Sequence, residues 1–258
     1  MYIIYTPLEQ FQILSFLSLN VFCFDFSITN LLIINFITIA IFYFFFIFFS
    51  AGSMKKSFAY YIIPNNWQLI IETLYDMILN LIFDNINNKG EIYFPFIVII
   101  FLFILFSNLI GLIPYSFTIT SHIIITFCLS LTIFVSVNII CIKLHRFEML
   151  SLFIPSNTSI GLALLLVPIE FISYIFKPIS LGVRLFANLM AGHTLLKVII
   201  GFSWSLILLD NFYISLTHII PLFILILLFG LELGVALIQA YVFTILSCIY
   251  LNESINLH

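Results

Sequence analysis

Residues Pro168–Leu196 read PIEFISYIFKPISLGVRLFANLMAGHTLL, an apolar stretch into which Glu170, Lys177, Arg184 and His193 are set. Ionisable side chains are rare inside a membrane, because each costs about 2.5–3.5 kcal/mol on insertion scales. Between Ser159 and Leu251 the surroundings are almost wholly apolar, with a break near Trp204–Tyr213 that holds Asp210. That length leaves room for two very long helices or for four shorter ones. Glu170, Lys177 and Arg184 are spaced by seven, which at about 100° per residue keeps them within about 40° of one helical face. Asn188, four residues past Arg184, extends the stripe. His193 falls roughly on the opposite face, about 13.5 Å further along an unbroken helix. Downstream, Glu232 and Gln239 are again seven apart with Ala236 between them, so they share a face. Ala187 and Ala191, Gly230 and Gly234, and Ala236 and Ala240 are pairs of small residues four apart, a spacing that lets a second helix come close.

The rest of the chain agrees with a membrane setting. It has 258 residues with 8 Lys+Arg and 11 Asp+Glu, so that only 7% is charged and 64% is hydrophobic. A usual soluble protein is about a quarter charged. With a mean hydropathy of +1.28, neither a soluble globular domain nor a disordered chain fits. The net charge of -3 and the scattered basic residues exclude a nucleic-acid partner. Cys23, Cys128, Cys141 and Cys248 lie too far apart for a disulfide framework or a metal cluster. Frequent Phe, Ile, Asn and Tyr, all with AT-rich codons, fit an AT-rich genome such as an organellar one. Met1–Ile4 lacks the basic region of a removable signal.

Outward from the deciding stretch, residues 1–28 are mixed in character. Thr29–Ser50 carries no charge, and its 22 residues would reach about 33 Å, enough to cross the hydrocarbon core. Lys55 and Lys56 open a polar loop within 51–91. Trp67–Asn85 sets Glu72, Asp76 and Asp84 at spacings of 4 and 8, giving one acidic face, as expected of a helix lying on the membrane. Two further spans occupy 94–142, Phe94–Ile113 ended by Pro114 and Thr120–Ile142 ended by Lys143, His145 and Arg146. A loop over 143–158 leads to the last third, 159–252. If residues 67–91 stay on the far side of the first span, Lys55, Lys56, Lys89, Lys143 and Arg146 share one side, which the positive-inside rule makes the cytoplasmic or matrix side. The sequence thus predicts an all-α polytopic membrane protein.

Two readings of the buried charges are open. Glu170–Lys177 and Arg184–Glu232 are possible ion pairs that would fix helix register. Alternatively the stripe moves protons. Arginine stays charged even when buried, whereas Glu and His exchange protons, so a fixed charge flanked by titratable groups gives two half-paths with a barrier between them. Function is the default for intramembrane charges. His122 and His218 are read as interfacial or structural.

The element SLGVRLFANLMAGH within Pro168–Leu196 resembles the signature of subunit a of the F-type rotary ATP synthase, in its mitochondrial form. LELGVALIQAYVFTILSCIYLNE (Leu231–Glu253) resembles that family's C-terminal helix, and SNLIGLIPYSFTITSH (Ser107–His122) and TPLEQF (Thr6–Phe11) match in the right order. The resemblance implies that Arg184 is the family's essential arginine facing the ring of c subunits. It implies that His193 and Glu232 line the half-channel open to the intermembrane space, in the mitochondrial arrangement of His and Glu. Glu170 and Glu253 then belong to the matrix half-channel, although some relatives have Asp where Glu253 stands. Asn188 and Gln239 are the polar residues near the arginine.

The family's fold also implies upright transmembrane helices, one membrane-surface amphipathic helix, and a C-terminal hairpin of two long, strongly tilted helices over 159–252. Implied partners are the c-subunit ring, peripheral-stalk and other membrane-sector subunits, lipid and a dimeric assembly, in the mitochondrial inner membrane. No G-x-x-x-x-G-K-[ST] loop or dinucleotide fingerprint is present, so the chain is expected to be non-catalytic on its own and to hold no cofactor. Two other classes are alternatives. A haem-bearing respiratory-chain subunit would need histidine pairs on facing helices, which the five histidines do not obviously make. A secondary transporter would often show repeated halves with broken helices.

Overall fold

The computed structural model describes residues 8–18, 20–21, 24–54, 66–113, 116–146, 149, 160–208 and 217–256. Lys55, Lys56, Pro114 and Asp210 lie outside them. The described residues form six α-helices: α1 Asn30–Met54, α2 Asn66–Ile86, α3 Phe94–Gly111, α4 Ile123–His145, α5 Ile160–Ile207 and α6 Ile219–Ile255. The N-terminal segment, read as merely mixed, makes two short antiparallel pairs. Here β1 (Ser15–Leu17) pairs with β4 (Ile28–Thr29), and β2 (Asn20–Val21) with β3 (Phe24–Asp25). The protein is an all-α polytopic membrane protein, and four of its helices, α3 to α6, are long and apolar enough to cross a membrane.

The last two helices resolve the ambiguity of the apolar third. α5 runs 48 residues and α6 runs 37, about 72 and 56 Å at 1.5 Å per residue. Both exceed a hydrocarbon core of about 30 Å, so only a strong tilt keeps such lengths within it. Pro168 and Pro178 sit inside α5 without ending it. Each lacks a backbone N–H and crowds the carbonyl four residues back. Neighbouring helices make such a fault tolerable in a membrane. α5 ends at Ile207, within the expected break near Trp204–Tyr213, and α6 begins at Ile219, with Pro221 in the first turn, where its missing N–H costs nothing.

α3, with Pro95 in its first turn, is the innermost helix. Its Ile97, Phe101, Leu102 and Ile104 pack with Ile78, Ile82 and Ile86 of α2, Ile133 and Val137 of α4, Leu181, Leu185 and Leu189 of α5, and Phe243 and Leu251 of α6. α2 buries that apolar face and exposes Glu72, Asp76 and Asp84 on the other. α4 closes with Lys143 and His145 in its last turn, favourable against the negative end of the helix dipole. Nε2–H of His145 donates to the Ile255 carbonyl at 3.1 Å, so the ends of α4 and α6 meet.

Close approach is made by glycines that the small-residue spacings do not include. A Cβ on Gly182 of α5 would stand 2.8 Å from Ser130 Oγ and 3.1 Å from the Thr126 carbonyl oxygen of α4. Of the expected small pairs, Ala236 and Ala240 are buried. Ala187, Ala191 and Gly230 are exposed instead, and nothing stands within 4 Å of a Cβ built on Gly230 or Gly234. The stripe of small residues therefore faces outward over much of its length.

Candidate functional site

Three polar contacts join the antiparallel pair α5 and α6. Lys177 Nζ is ion-paired with Glu253 Oε2. Asn188 Nδ2 donates to Gln239 Oε1 at 2.9 Å. His193 Nδ1 lies 3.5 Å from Glu232 Oε1. As the numbers rise along α5 they fall along α6, so the three mark successive levels of one seam. The acid and amide on α6 share a face through their seven-residue spacing, and both are buried, at 5% and 4% exposure.

The His193–Glu232 level rests on a missing side chain. A Cβ on Gly192 would stand 2.7 Å from Glu232 Oε1 and 3.1 Å from its Cδ. Only glycine leaves the carboxylate its seat. At 3.5 Å the imidazole and carboxylate are near enough for attraction but outside good hydrogen-bond length. Both Glu232 oxygens and His193 Nε2 are buried with no hydrogen-bond partner among the described residues, as are Gln239 Nε2 and Asn108 Oδ1. Asn108 of α3 donates through Nδ2 to the Ala236 carbonyl at 3.3 Å, which fixes its side chain against this seam.

The Lys177–Glu253 level is built differently. Lys177 Nζ lies 5.6 Å from the Tyr174 ring centroid and 5.4 Å from that of Tyr250, both within cation–π range. Tyr174 Oη donates to Asn138 Oδ1 of α4, so the ion pair is anchored on three helices. Spacing in the sequence suggested Glu170 as the partner of Lys177; its partner is Glu253. Glu170 is half-buried, about 21 Å along α5 from Arg184.

Arg184 stands between the two titratable levels, on the exposed side of α5 with Asn188 and Ala187. Among the described residues it makes no ion pair, so the alternative pairing with Glu232 is not formed. The reason is one of register. Glu232 stands level with His193, about 13.5 Å along α5 from Arg184. The single-face arrangement of Lys177 and Arg184 is also modified: Lys177 turns toward α6 while Arg184 is exposed, and Pro178 interrupts the ladder between them. Sequence reasoning missed Gly192, Asn108, Tyr174, Tyr250 and Asn138. A glycine in mid-helix costs about 1 kcal/mol against alanine, and that was the one signal available for Gly192.

Polar groups seated at separate levels between the two longest helices of a polytopic membrane protein define a membrane subunit with an internal polar seam. Residues 32–252 match the model of the ATP synthase A chain family. The chain is 54% identical over 254 residues to ATP synthase subunit a of Pylaiella littoralis, covering 98% of this chain and 99% of that one. It is 45% identical over 257 residues to ATP synthase subunit a of Chondrus crispus, covering 100% and 98%. With ATP synthase subunit a of Brassica napus it shares 44% over 257 residues, covering 98% and 97%. The chain belongs to the ATP synthase A chain family.

Proposed function

We propose that the chain is the proton-translocating stator subunit of a mitochondrial F-type ATP synthase, forming two proton half-channels against a ring of c subunits. The observation that carries this reading is the division of the seam. One titratable level, His193–Glu232, and another, Lys177–Glu253, lie on either side of Arg184, about 13.5 and 10.5 Å from it along α5. A single continuous wire would have no use for a permanent cation in its middle.

In this reading a proton entering from the intermembrane space is relayed by His193 and Glu232 to a carboxylate on the ring. Once neutral, that carboxylate can face lipid at little cost, which an ionised one cannot. After nearly a full turn it meets Arg184, whose fixed charge favours the ionised form, and the proton leaves through Glu170 and Glu253 to the matrix. The side chains of Asn188 and Gln239 tie α5 to α6 beside the arginine. The membrane potential supplies about 2.3 kcal/mol per charge per 100 mV. ATP chemistry belongs to other subunits of the complex, and the inner-membrane location, peripheral-stalk contacts, bound lipid and dimeric assembly follow from the same reading. The segments 29–50, 94–142 and 159–252 would be the membrane-crossing parts and 51–91 and 143–158 the matrix-side ones.

Arg184→Lys tests this. Lysine keeps a charge but loses the planar fork and the fixed pKa. Assembled complex is expected to lose proton-coupled ATP synthesis in that variant, measured in energised membrane vesicles. Synthesis at the parent rate would sink the assignment.

A further inference from the structure

Two cations on α5 face one free acid on α6. Lys177 and Arg184 are seven residues apart, about 10.5 Å along the helix. The acids of α6 are Glu232 and Glu253, and Glu232 stands with His193 on the far side of the arginine. Glu253 is level with Lys177 and pairs with it. Arg184 is nonetheless close to that acid. Tyr250, one turn before Glu253 on α6, stands in the field of both the Glu253 and the Arg184 charges. An arginine and a glutamate side chain stretched toward each other can close such a gap. Among the described residues, however, Arg184 forms no ion pair, and it projects on the exposed side of α5.

An ionised carboxylate inside the membrane takes a cation it can reach, because leaving it unpaired is costly. The surroundings of Lys177 decide which cation that is. Its Nζ has one ring face on each helix, Tyr174 at 5.6 Å and Tyr250 at 5.4 Å to the centroids. Tyr174 is held in turn by α4, where its hydroxyl donates to Asn138 Oδ1 and its ring lies 4.9 Å from that of Phe134. The gap beside the pair is about 10 Å³, room for no more than one water, with Val137 and Ser254 in its wall. Three helices therefore fix the ammonium at one point. Charge balance alone would not need so exact a position.

We propose that Lys177 is a positioning residue that keeps Glu253 from Arg184, so that the arginine stays unpaired within its own chain and open to an acid from outside it. Tyr174 and Tyr250 hold the ammonium where it wins that competition. Without Lys177 the freed Glu253 swings one and a half to two turns along the seam and closes on the guanidinium, and each arriving acid then has to displace it. The inference rests on the proton-path reading above and adds to it the reason Arg184 is left free.

The test uses the whole complex in energised membrane vesicles, with ATP synthesis expressed per assembled complex as counted on native gels. Lys177→Met is expected to lower the rate at least about tenfold, a barrier raised by about 1.36 kcal/mol. Lys177→Arg, which keeps the pair, should recover most of that loss. The deciding variant is Lys177→Met with Glu253→Asp. Aspartate remains a titratable acid but is one methylene shorter and falls short of Arg184, so the rate should rise several-fold over Lys177→Met alone. A merely structural pair predicts no such recovery, because the carboxylate is just as unpaired when shortened. Parent-rate synthesis in Lys177→Met, or no recovery with the aspartate, overturns the proposal. Should Lys177→Met not assemble, Tyr174→Leu with Tyr250→Leu decides, since it removes both ring faces and keeps both charges. Synthesis there should fall and recover with Glu253→Asp, and the parent rate or an absent recovery overturns the proposal. Arg184→Lys, run in parallel, separates the two ideas. If it abolishes synthesis while Lys177→Met does not lower it, only the role of Lys177 fails; if it makes ATP at the parent rate, the proton-path reading fails and this inference with it.

Discussion

Replacing Gly192 by alanine adds one methyl group at the point where α5 meets the Glu232 carboxylate. The new Cβ would stand 2.7 Å from Oε1, 3.1 Å from Cδ and 3.3 Å from Cγ, whereas ordinary contact begins at 3.4 Å. The carboxylate must withdraw by about 0.7 Å, or the helices must part, and Glu232 is too buried to swing freely. Overpacking of this kind costs about 1–3 kcal/mol, partly offset by about 1 kcal/mol from the better helix propensity of alanine. The net loss of stability is therefore small, about 0–2 kcal/mol. Transport should suffer more. His193 and Glu232 are already 3.5 Å apart, and further displacement from a transfer geometry can cost on the order of 100-fold in rate. Gly192→Ala complex is expected to assemble, to unfold at a temperature near that of the parent, and to carry protons roughly 10- to 100-fold more slowly. Shortening the acid in the same chain, Gly192→Ala with Glu232→Asp, withdraws the carboxylate by one methylene and should recover part of the loss. Normal flux in the single variant, or strictly additive losses in the double one, would refute the idea that bare backbone at Gly192 sets the place of Glu232.

Other glycines divide by what surrounds them. Gly182→Ala, whose Cβ would meet α4 backbone at 3.1 Å, should lower the thermal stability of the complex by an amount equivalent to about 1–3 kcal/mol, while Gly201→Ala, with nothing within 4 Å, should be neutral or slightly stabilising. Lys177→Met leaves Glu253 without its cation and the two tyrosine faces without theirs. Assembly measured on native gels should drop, and Glu253→Gln in the same chain should restore it, because the pair is worse half-removed than absent. Asn188→Ala removes the Nδ2 donor that stands 2.9 Å from Gln239 Oε1 and should loosen α5 from α6 beside Arg184, read as faster hydrogen exchange across the middle of both helices.

What the sequence discloses here depends on how local the physics is. Hydropathy and charge are additive along the chain, so the polytopic all-α class follows from counting, as does the amphipathic division of Trp67–Asn85. The partition of Ser159–Leu251 into two helices was not legible from composition, because Pro168 and Pro178 are breakers in water but not where neighbouring helices tolerate the lost bond. Resemblance, not periodicity, pointed to the long hairpin. Residue spacing failed wherever two elements had to meet. A seven-residue period grouped Lys177 with Glu170 and Arg184. The antiparallel register of α5 and α6 instead brings Lys177 to Glu253, and that register appears only when both helices are in place. Likewise the N-terminal strand pairs rest on two- and three-residue segments too short to carry a pattern.

The outward stripe has a consequence for how the subunit sits in its assembly. Arg184, Ala187, Asn188 and Ala191 on α5 and Gly230 on α6 are exposed in the isolated chain, among side chains such as Phe223, Leu227 and Ile238 that suit lipid. An arginine facing hydrocarbon would cost about 2.5–3.5 kcal/mol, and small residues facing lipid gain nothing from being small. Both features are favourable together only if another helix comes close along this line and brings an acid to within reach of the guanidinium. The buried small pair Ala236–Ala240 already serves packing inside the chain. The exposed ones are therefore left for a partner, which supports the proposed apposition to a ring bearing carboxylates. Enlarging Ala187 or Ala191 to leucine should leave the fold of this chain unchanged while blocking rotation-coupled synthesis in the complex. Unaltered synthesis in both would mean that no helix passes along that face.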